Sequence, residues 1–455
     1  MVVNGHTVAT DDHSATNRAR LFAGARVIDP ASGRDEIADV LVADGVVQAL
    51  GPGLEARGAE VIALEGALLG PGLVDLHTHL REPGREDEED IASGSAAAAA
   101  GGYTALCAMP NTDPVADSAA VVEKVWARGH SVGLVEVVPA GALSRGLRGV
   151  EMADLGEMAR GRARVRLFTD DGHGVQDALF ARRAMEYLSG FDCIYAEHCE
   201  DAGLARGGQM HEGERSMALG LRGIQAEAEE LMAARDIALA RLTGCRLHLL
   251  HISTAGTVEL VRRTKAEGVA VTAEATPHHI TLTDAALEGY DPNAKVNPPL
   301  RDGHDRDAVI AGLADGTIAA LATDHAPHAI EEKEVELVLA PPGLVGLETA
   351  LGLAVTELVE PGHLGWQELF ERMSAAPARI LGLTDHGRIA VGRPANLVVV
   401  DPQATWTVDP RKFLSRSRNT PFAGRRLRGR ALWTLHDGAV TFTAEPLAVP
   451  ARMPA

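Results

Sequence analysis

Cysteine is nearly absent: Cys107, Cys193, Cys199 and Cys245 are the whole set in 455 residues, and no two form a C-x-x-C pair. That argues against a disulfide framework, and three of the four lie within or beside apolar runs, the setting of reduced structural thiols in a cytoplasmic protein. Lysine is almost as scarce, with only Lys124, Lys265, Lys295, Lys333 and Lys412. No run of eighteen apolar residues occurs, so no membrane span is expected. The net charge is −20 with the basic residues dispersed, which argues against nucleic acid or an anionic membrane as partner. The first twenty residues lack the apolar core of a signal peptide and read as a disordered tail, 1–20.

What is present suffices for a full core, since 46% of residues are hydrophobic and 23% charged, and the length suggests more than one structural unit. Residues 21–72 carry short Val/Ile/Leu runs separated by turns, with Asp44-Gly45 between two of them as a hairpin signature. Residues 386–455 look alike, with apolar runs around Leu397 to Val400 and Leu432 to Leu435 and another turn at Asp437-Gly438. Neither end has enough strands to bury a face alone, so one small β-sandwich domain built from both chain ends is expected.

Between them, 73–385, strand-like runs alternate with Ala-rich helical ones. The strand candidates are Leu73 to His79, Thr104 to Met109, Leu134 to Val138, Val165 to Phe168, Ile194 to Glu197, Leu247 to Ile252, Val269 to Ala275 and Ile318 to Ala322. Helix candidates include Ile91 to Ala100, Ser118 to Arg128, Val175 to Leu188 and Gln225 to Leu242. Eight such strands with crossovers predict a (β/α)8 TIM barrel whose chemistry sits at the C-terminal strand ends. Those ends are polar. The first closes on His77 and His79, which share one face of an extended strand; the fourth on Asp170-Asp171, the fifth on His198, the sixth on His251 and the eighth on Asp324. Imidazole and carboxylate donors without thiolate suit zinc, with manganese or cobalt as substitutes.

Asp-Leu-His-Thr-His-Leu-Arg-Glu-Pro-Gly, Met-Pro-Asn-Thr, Thr-Asp-Asp-Gly, Asn-Pro-Pro-Leu-Arg and Ala-Thr-Asp-His-Ala-Pro-His, in that order, resemble the dihydroorotases of the amidohydrolase superfamily. The resemblance runs from about residue 21 to 440. It implies a barrel with two zinc ions per subunit that interconverts N-carbamoyl-L-aspartate and (S)-dihydroorotate in pyrimidine (UMP) biosynthesis. It further implies that His77, His79 and Asp324 hold one metal, that His198 and His251 hold the other, and that Asp324 is also the catalytic proton carrier. Many relatives bridge the ions with a carbamylated lysine, but no lysine here lies at a ligand-bearing strand end. Asp171 is the expected bridge, as in the subgroup with Thr/Ser-Asp-Asp-Gly, and Asp170 is its rival because neighbouring strand residues face opposite ways.

For the substrate, the resemblance implies His79, Arg81, Asn111 and His328 at the carboxylate end and Asn297 with Pro342-Gly343 at the pyrimidine edge. Ala329 to Pro342 reads as a mobile loop over the site or a solvated helix. His248 is expected to pack on the far side of its strand, and His278, His279 and His325 to border the site in structural or ligand-orienting roles. His386 and His436, among others, are expected at the surface. Two rivals stand beside the dihydroorotase reading: another cyclic-amide hydrolase such as a hydantoinase or allantoinase, and a non-catalytic scaffold for aspartate carbamoyltransferase. A homo-oligomer that associates with aspartate carbamoyltransferase is the expected assembly.

Overall fold

The computed structural model describes residues 2–3, 6–8 and 19–444. Eight short parallel strands form the barrel: β1 Leu73–Thr78, β2 Tyr103–Ala108, β3 Glu136–Pro139, β4 Leu167–Phe168, β5 Ile194–Glu197, β6 Arg246–Leu249, β7 Val271–Ala275 and β8 Ala320–Leu321. Strands β1 to β3 pair in one sheet and β4 to β8 in another. Parallel bridges Gly141 to Phe168 and Thr78 to His325 join the two sheets and close the barrel.

Each strand was anticipated, but several are shorter than their apolar runs, β4 and β6 among them. β4 begins only at Leu167, since Arg164 takes a positive φ of 48° and the Val165 N–H donates back to Met158 O. β6 stops at Leu249, leaving His251 on a turn at φ 31°. The first crossover helix, Ile91–Gly101, starts where Asp90 accepts from Ser93 N and Ser93 Oγ accepts from Asp90 N, and it stops at Gly102 with φ 92°.

The strands of both chain ends join, as expected, in one domain, and they do so as a continuous hydrogen-bonded sheet of ten. Leu68–Pro71 is its seam, lying parallel to Arg20–Asp29 on one side and antiparallel to Leu397–Thr407 on the other. Ala38, Val40 and Val42, alternating along Arg34–Ala43, share one core with Leu397, Val399 and Leu435 from the other end. Both Asp-Gly turns have two positive φ values, 51° and 80° at Asp44-Gly45 and 49° and 74° at Asp437-Gly438. They pack so closely that a Cβ on Gly438 would lie 2.5 Å from Gly45 Cα.

The tail expectation needs correction at five residues. Val2–Val3 and His6–Val8 are strands, the latter pairing with Ala439–Thr443 through Thr7 to Thr443 and Val8 to Phe442. Their β-branched residues extend an otherwise open sheet edge. The rest of 1–18 lies outside the described residues, as do 445–455.

Candidate metal centre and substrate pocket

At the C-terminal mouth of the barrel, Asp171 stands between two pairs of imidazoles. Its Oδ2 lies 3.4 Å from His77 Nε2 and 3.6 Å from His79 Nε2, while its Oδ1 lies 3.4 Å from His251 Nε2 and 3.6 Å from His198 Nδ1. Asp324 Oδ1 is 3.1 Å from His79 Nε2 and 3.6 Å from His77 Nε2. All six side chains are buried. Asp170 points elsewhere: Oδ1 accepts from Leu143 N and Ser144 N, each at 2.9 Å, and Oδ2 accepts from Ser144 Oγ.

The charges in this cluster hold one another. Burial opposes ionisation of Asp171 and Asp324, but His77 and the neighbouring rings outweigh it and pull both carboxyls below the usual range. Burial likewise opposes protonation of His77, yet Asp171 and Asp324 push its pKa well up. Even so, His77 Nε2 and Asp171 Oδ1 have no hydrogen-bond partner. Buried polar atoms are rarely left so, and donors of His77, His79 and Asp171, and of Asp171, His198 and His251, converge within 4.8 Å in each group. Four imidazoles and two carboxylates therefore fit hard-to-borderline divalent cations.

One supporting residue escaped the sequence reading. Glu274, in β7, is fully buried, with Oε1 2.9 Å from His77 Nδ1 and Oε2 3.1 Å from His248 Nε2. It fixes the ring of His77, as carboxylates commonly do for metal-binding histidines. Its signal was available, since a glutamate inside the run Val-Thr-Ala-Glu-Ala must find a partner. His248 is correspondingly not on the far side of its strand: it lies wholly buried between Glu274 and Thr272, whose Oγ1 is 2.8 Å from its Nδ1.

His278 and His279 are buried beside the cluster, and His279 is bonded to Thr276 Oγ1 and Pro298 O. His325 lies 3.3 Å from Glu89 Oε2. His386 and His436, expected at the surface, are buried and stacked on each other, because His386 packs under β2 against Thr104 Oγ1.

A cavity of about 210 Å3 opens onto the cluster, lined by His79, Asp171, His198, His251 and Asp324 together with Arg81, Asn111, Asn297, His328, Pro342 and Gly343. The sequence-derived substrate residues are thus all at its wall, with His77 just behind. Asn111 Oδ1 is 2.9 Å from His79 Nδ1, which leaves the Asn111 amide N–H groups free to face the cavity. Asn297 Nδ2 lies 3.3 Å from His198 Nε2, and His328 Nε2 donates to Pro342 O at 2.9 Å. Gly343 sits at φ 132°, where a Cβ would come within 2.8 Å of Ala326 Cβ, so only glycine brings the backbone this close.

None of the five lysines lines the cavity. Two of them tie down the Ala329 to Pro342 segment, which contains only a short helix, Ile330–Lys333: Lys333 from within it and Lys295 from outside. Lys295 Nζ donates to Gln209 Oε1, Leu337 O and Ala340 O, and Lys333 Nζ donates to Pro341 O and Gly343 O.

A family model described as Dihydro-orotase-like matches residues 66–257. A dihydroorotase of Pelotomaculum thermopropionicum is 50% identical over 420 residues, covering 92% of this chain and 97% of that protein. One of Mycobacterium tuberculosis is 52% identical over 411 residues, covering 90% and 96%. Among solved structures, an L-hydantoinase (dihydropyrimidinase) from Arthrobacter aurescens superposes with a TM-score of 0.81 at 26% identity, covering 92% of this chain and 95% of that one.

Proposed function

This chain belongs to the dihydroorotases of the amidohydrolase superfamily and is a cyclic amidohydrolase, and on that premise we propose that it interconverts N-carbamoyl-L-aspartate and (S)-dihydroorotate using two zinc ions. The observation that carries the two-ion reading is that Asp171 turns one oxygen to His77 and His79 and the other to His198 and His251. In this reading His77, His79 and Asp324 would hold one ion, His198 and His251 the other, and Asp171 would serve both. Bound divalent ions would supply Lewis acidity, lowering the pKa of a water to about 7 and polarising the ring carbonyl.

The remaining steps fall to the chain's own groups. Asp324 Oδ1 lies at the cavity wall and is kept ionised by His77 and His79, so it is available to take a proton from the attacking water. It passes that proton to the departing amide nitrogen. In the cyclising direction it removes a proton from the carbamoyl nitrogen as that nitrogen attacks the side-chain carboxyl carbon, and delivers it to the departing oxygen so that the C–O bond breaks and water leaves. Arg81 and the Asn111 amide receive the substrate carboxylate, a guanidinium fork being suited to that anion, and His328 and His79 line the same end of the cavity. Asn297 and the Pro342-Gly343 backbone address the pyrimidine edge.

The hydantoinase alternative has the structural likeness in its favour, and Arg81 and Asn111 in the cavity wall weigh against it. Metal analysis with turnover of dihydroorotate, hydantoin and allantoin tests the choice. Two equivalents of zinc and preference for dihydroorotate are expected; preference for either neutral ring overturns the assignment.

The barrel, 73–385, would carry the chemistry and the sheet from 21–72 and 386–455 would support it. A place in cytoplasmic pyrimidine biosynthesis is part of this proposal, supported by the described cysteines, which are all free and buried, in keeping with a reducing compartment. Among the described residues, no helix is long and apolar enough to cross a membrane. Assembly as a homo-oligomer with aspartate carbamoyltransferase rests on the resemblance and is tested by co-purification from the native cell.

A further inference from the structure

Five consecutive acids, Glu86-Asp87-Glu88-Glu89-Asp90, precede the first crossover helix, and such a run is ordinarily a solvated face. Glu88 departs from this. It is fully buried, and neither of its oxygens has an aligned hydrogen-bond donor. Cations hold it inside: its Oε2 is 3.0 Å from Arg81 Nε and its Oε1 is 2.6 Å from an Arg85 Nη. The same Oε1 lies 3.4 Å from His328 Nδ1. The ring is completed by Glu332, whose Oε1 pairs with Arg85 at 2.5 Å and whose Oε2 lies 3.2 Å from His328 Nδ1.

The donors of Glu88, His328 and Glu332 also converge within 4.8 Å, the geometry of a further cation site. Two guanidinium groups already occupy the positive side of this cluster, so a divalent ion there would face strong repulsion. Its chemistry is that of a buried ion-pair network. A buried carboxylate is costly unless paired, so this one is tolerated where it orients something.

What it touches are two residues of the carboxylate end of the pocket, one from the loop after β1 and one from the loop after β8. Arg81 sits at a positive φ of 60°, its Nε committed to Glu88 and to Pro327 O, which leaves its Nη groups for the cavity it lines. We propose that Glu88 is a positioning residue that, with Arg85 and Glu332, sets Arg81 and His328 in one rigid frame and so gives the pocket its preference for a carboxylate-bearing ring. This rests on the dihydroorotase reading. In the free pocket the frame keeps Arg81 from swinging onto Asp324 or Asp171, the other anions at the cavity wall.

The test compares dihydroorotate with 5,6-dihydrouracil, the same ring without the carboxylate, on the zinc-loaded protein. Glu88→Gln keeps the shape and removes the charge. Its KM for dihydroorotate is expected to rise roughly 10–100-fold, the usual effect of losing such a support, with kcat within about threefold, zinc content unchanged and the inhibition constant of dihydrouracil unchanged. An unaltered KM, or an equal loss for both rings, overturns the proposal, because the latter would make Glu88 a shaper of the pocket only. Should Glu88→Gln fail to fold, Arg85→Gln, at a half-exposed position, is expected to raise the dihydroorotate KM about threefold to tenfold, and an unchanged KM there overturns the proposal equally. Failure of the parent protein to turn over dihydroorotate at all would instead sink the underlying reading, and this inference with it.

Discussion

Asp171 and Asp170 are neighbours with opposite commitments, and a single-atom change separates them. Asp171→Asn retains the shape but turns one of two cluster-facing oxygens into an N–H donor, so loss of at least one zinc and of most turnover is expected. Asp170→Asn should keep both metals, since its amide oxygen can still accept from Leu143 and Ser144 while its N–H2 meets the Ser144 hydroxyl. Metal analysis of the two purified variants decides; an empty site in Asp170→Asn with a full one in Asp171→Asn would reverse the assignment. Arg81→Met should leave zinc near two per chain yet cost roughly 3–5 kcal/mol in kcat/KM for dihydroorotate, as expected when one partner of a buried pair is removed. Wild-type kinetics in that variant would remove Arg81 from the pocket chemistry. At this scale the ligand-type residues were readable because each follows an apolar run directly. The apolar run around Glu274 signalled that it needs a partner but not which one, since 197 residues separate it from His77, and Glu88 was hidden within an acidic run whose place beside His328 depends on the fold.

The segment from Ala329 to Gly343 illustrates what element-level patterns can convey. Its Glu331-Glu332-Lys333-Glu334 run allowed a solvated helix or a mobile loop, and the structure gives one helical turn followed by a backbone tied down by ammonium groups. Burial pushes the Lys333 amine down to about 7, a sign of how little water reaches it. Lys333→Met fills similar space but leaves the Pro341 and Gly343 carbonyls without this donor, at about 1–3 kcal/mol for a buried unpaired group. The expected result is cleavage by a non-specific protease between residues 334 and 341 under conditions that spare the parent, with a higher KM; equal resistance would show that Lys333 is not what secures the loop. The barrel strands were legible from alternating apolar runs, whereas the polar stretch Leu414 to Asn419 was assigned with the C-terminal β strands. It instead laces the barrel mouth, with Asn419 Nδ2 donating to Ala326 O and Gly343 O and Asn419 Oδ1 accepting from His328 N. No periodicity marks a segment whose place is set by hydrogen bonds to remote loops.

For the whole molecule, the scarcity of lysine has a chemical consequence. A carbamylated lysine forms with carbon dioxide, but no lysine lines the cavity, and the amines of Lys295 and Lys333 are committed to backbone carbonyl oxygens. Metal-free protein given zinc in degassed, bicarbonate-free buffer is therefore expected to recover full activity; a requirement for bicarbonate would refute an all-aspartate bridge. The seam at Leu68–Pro71 bears on how the molecule comes into being. One side of that strand is satisfied early in synthesis, by Arg20–Asp29, but its other partner, Leu397–Thr407, leaves the ribosome only after the entire barrel has been made. Until then the nascent chain carries an open strand edge, a template for pairing with another unfinished copy. Translation speed through the barrel thus sets how long each chain stays vulnerable, and an interrupted chain ending before Leu397 is a candidate for aggregation rather than for a smaller working protein.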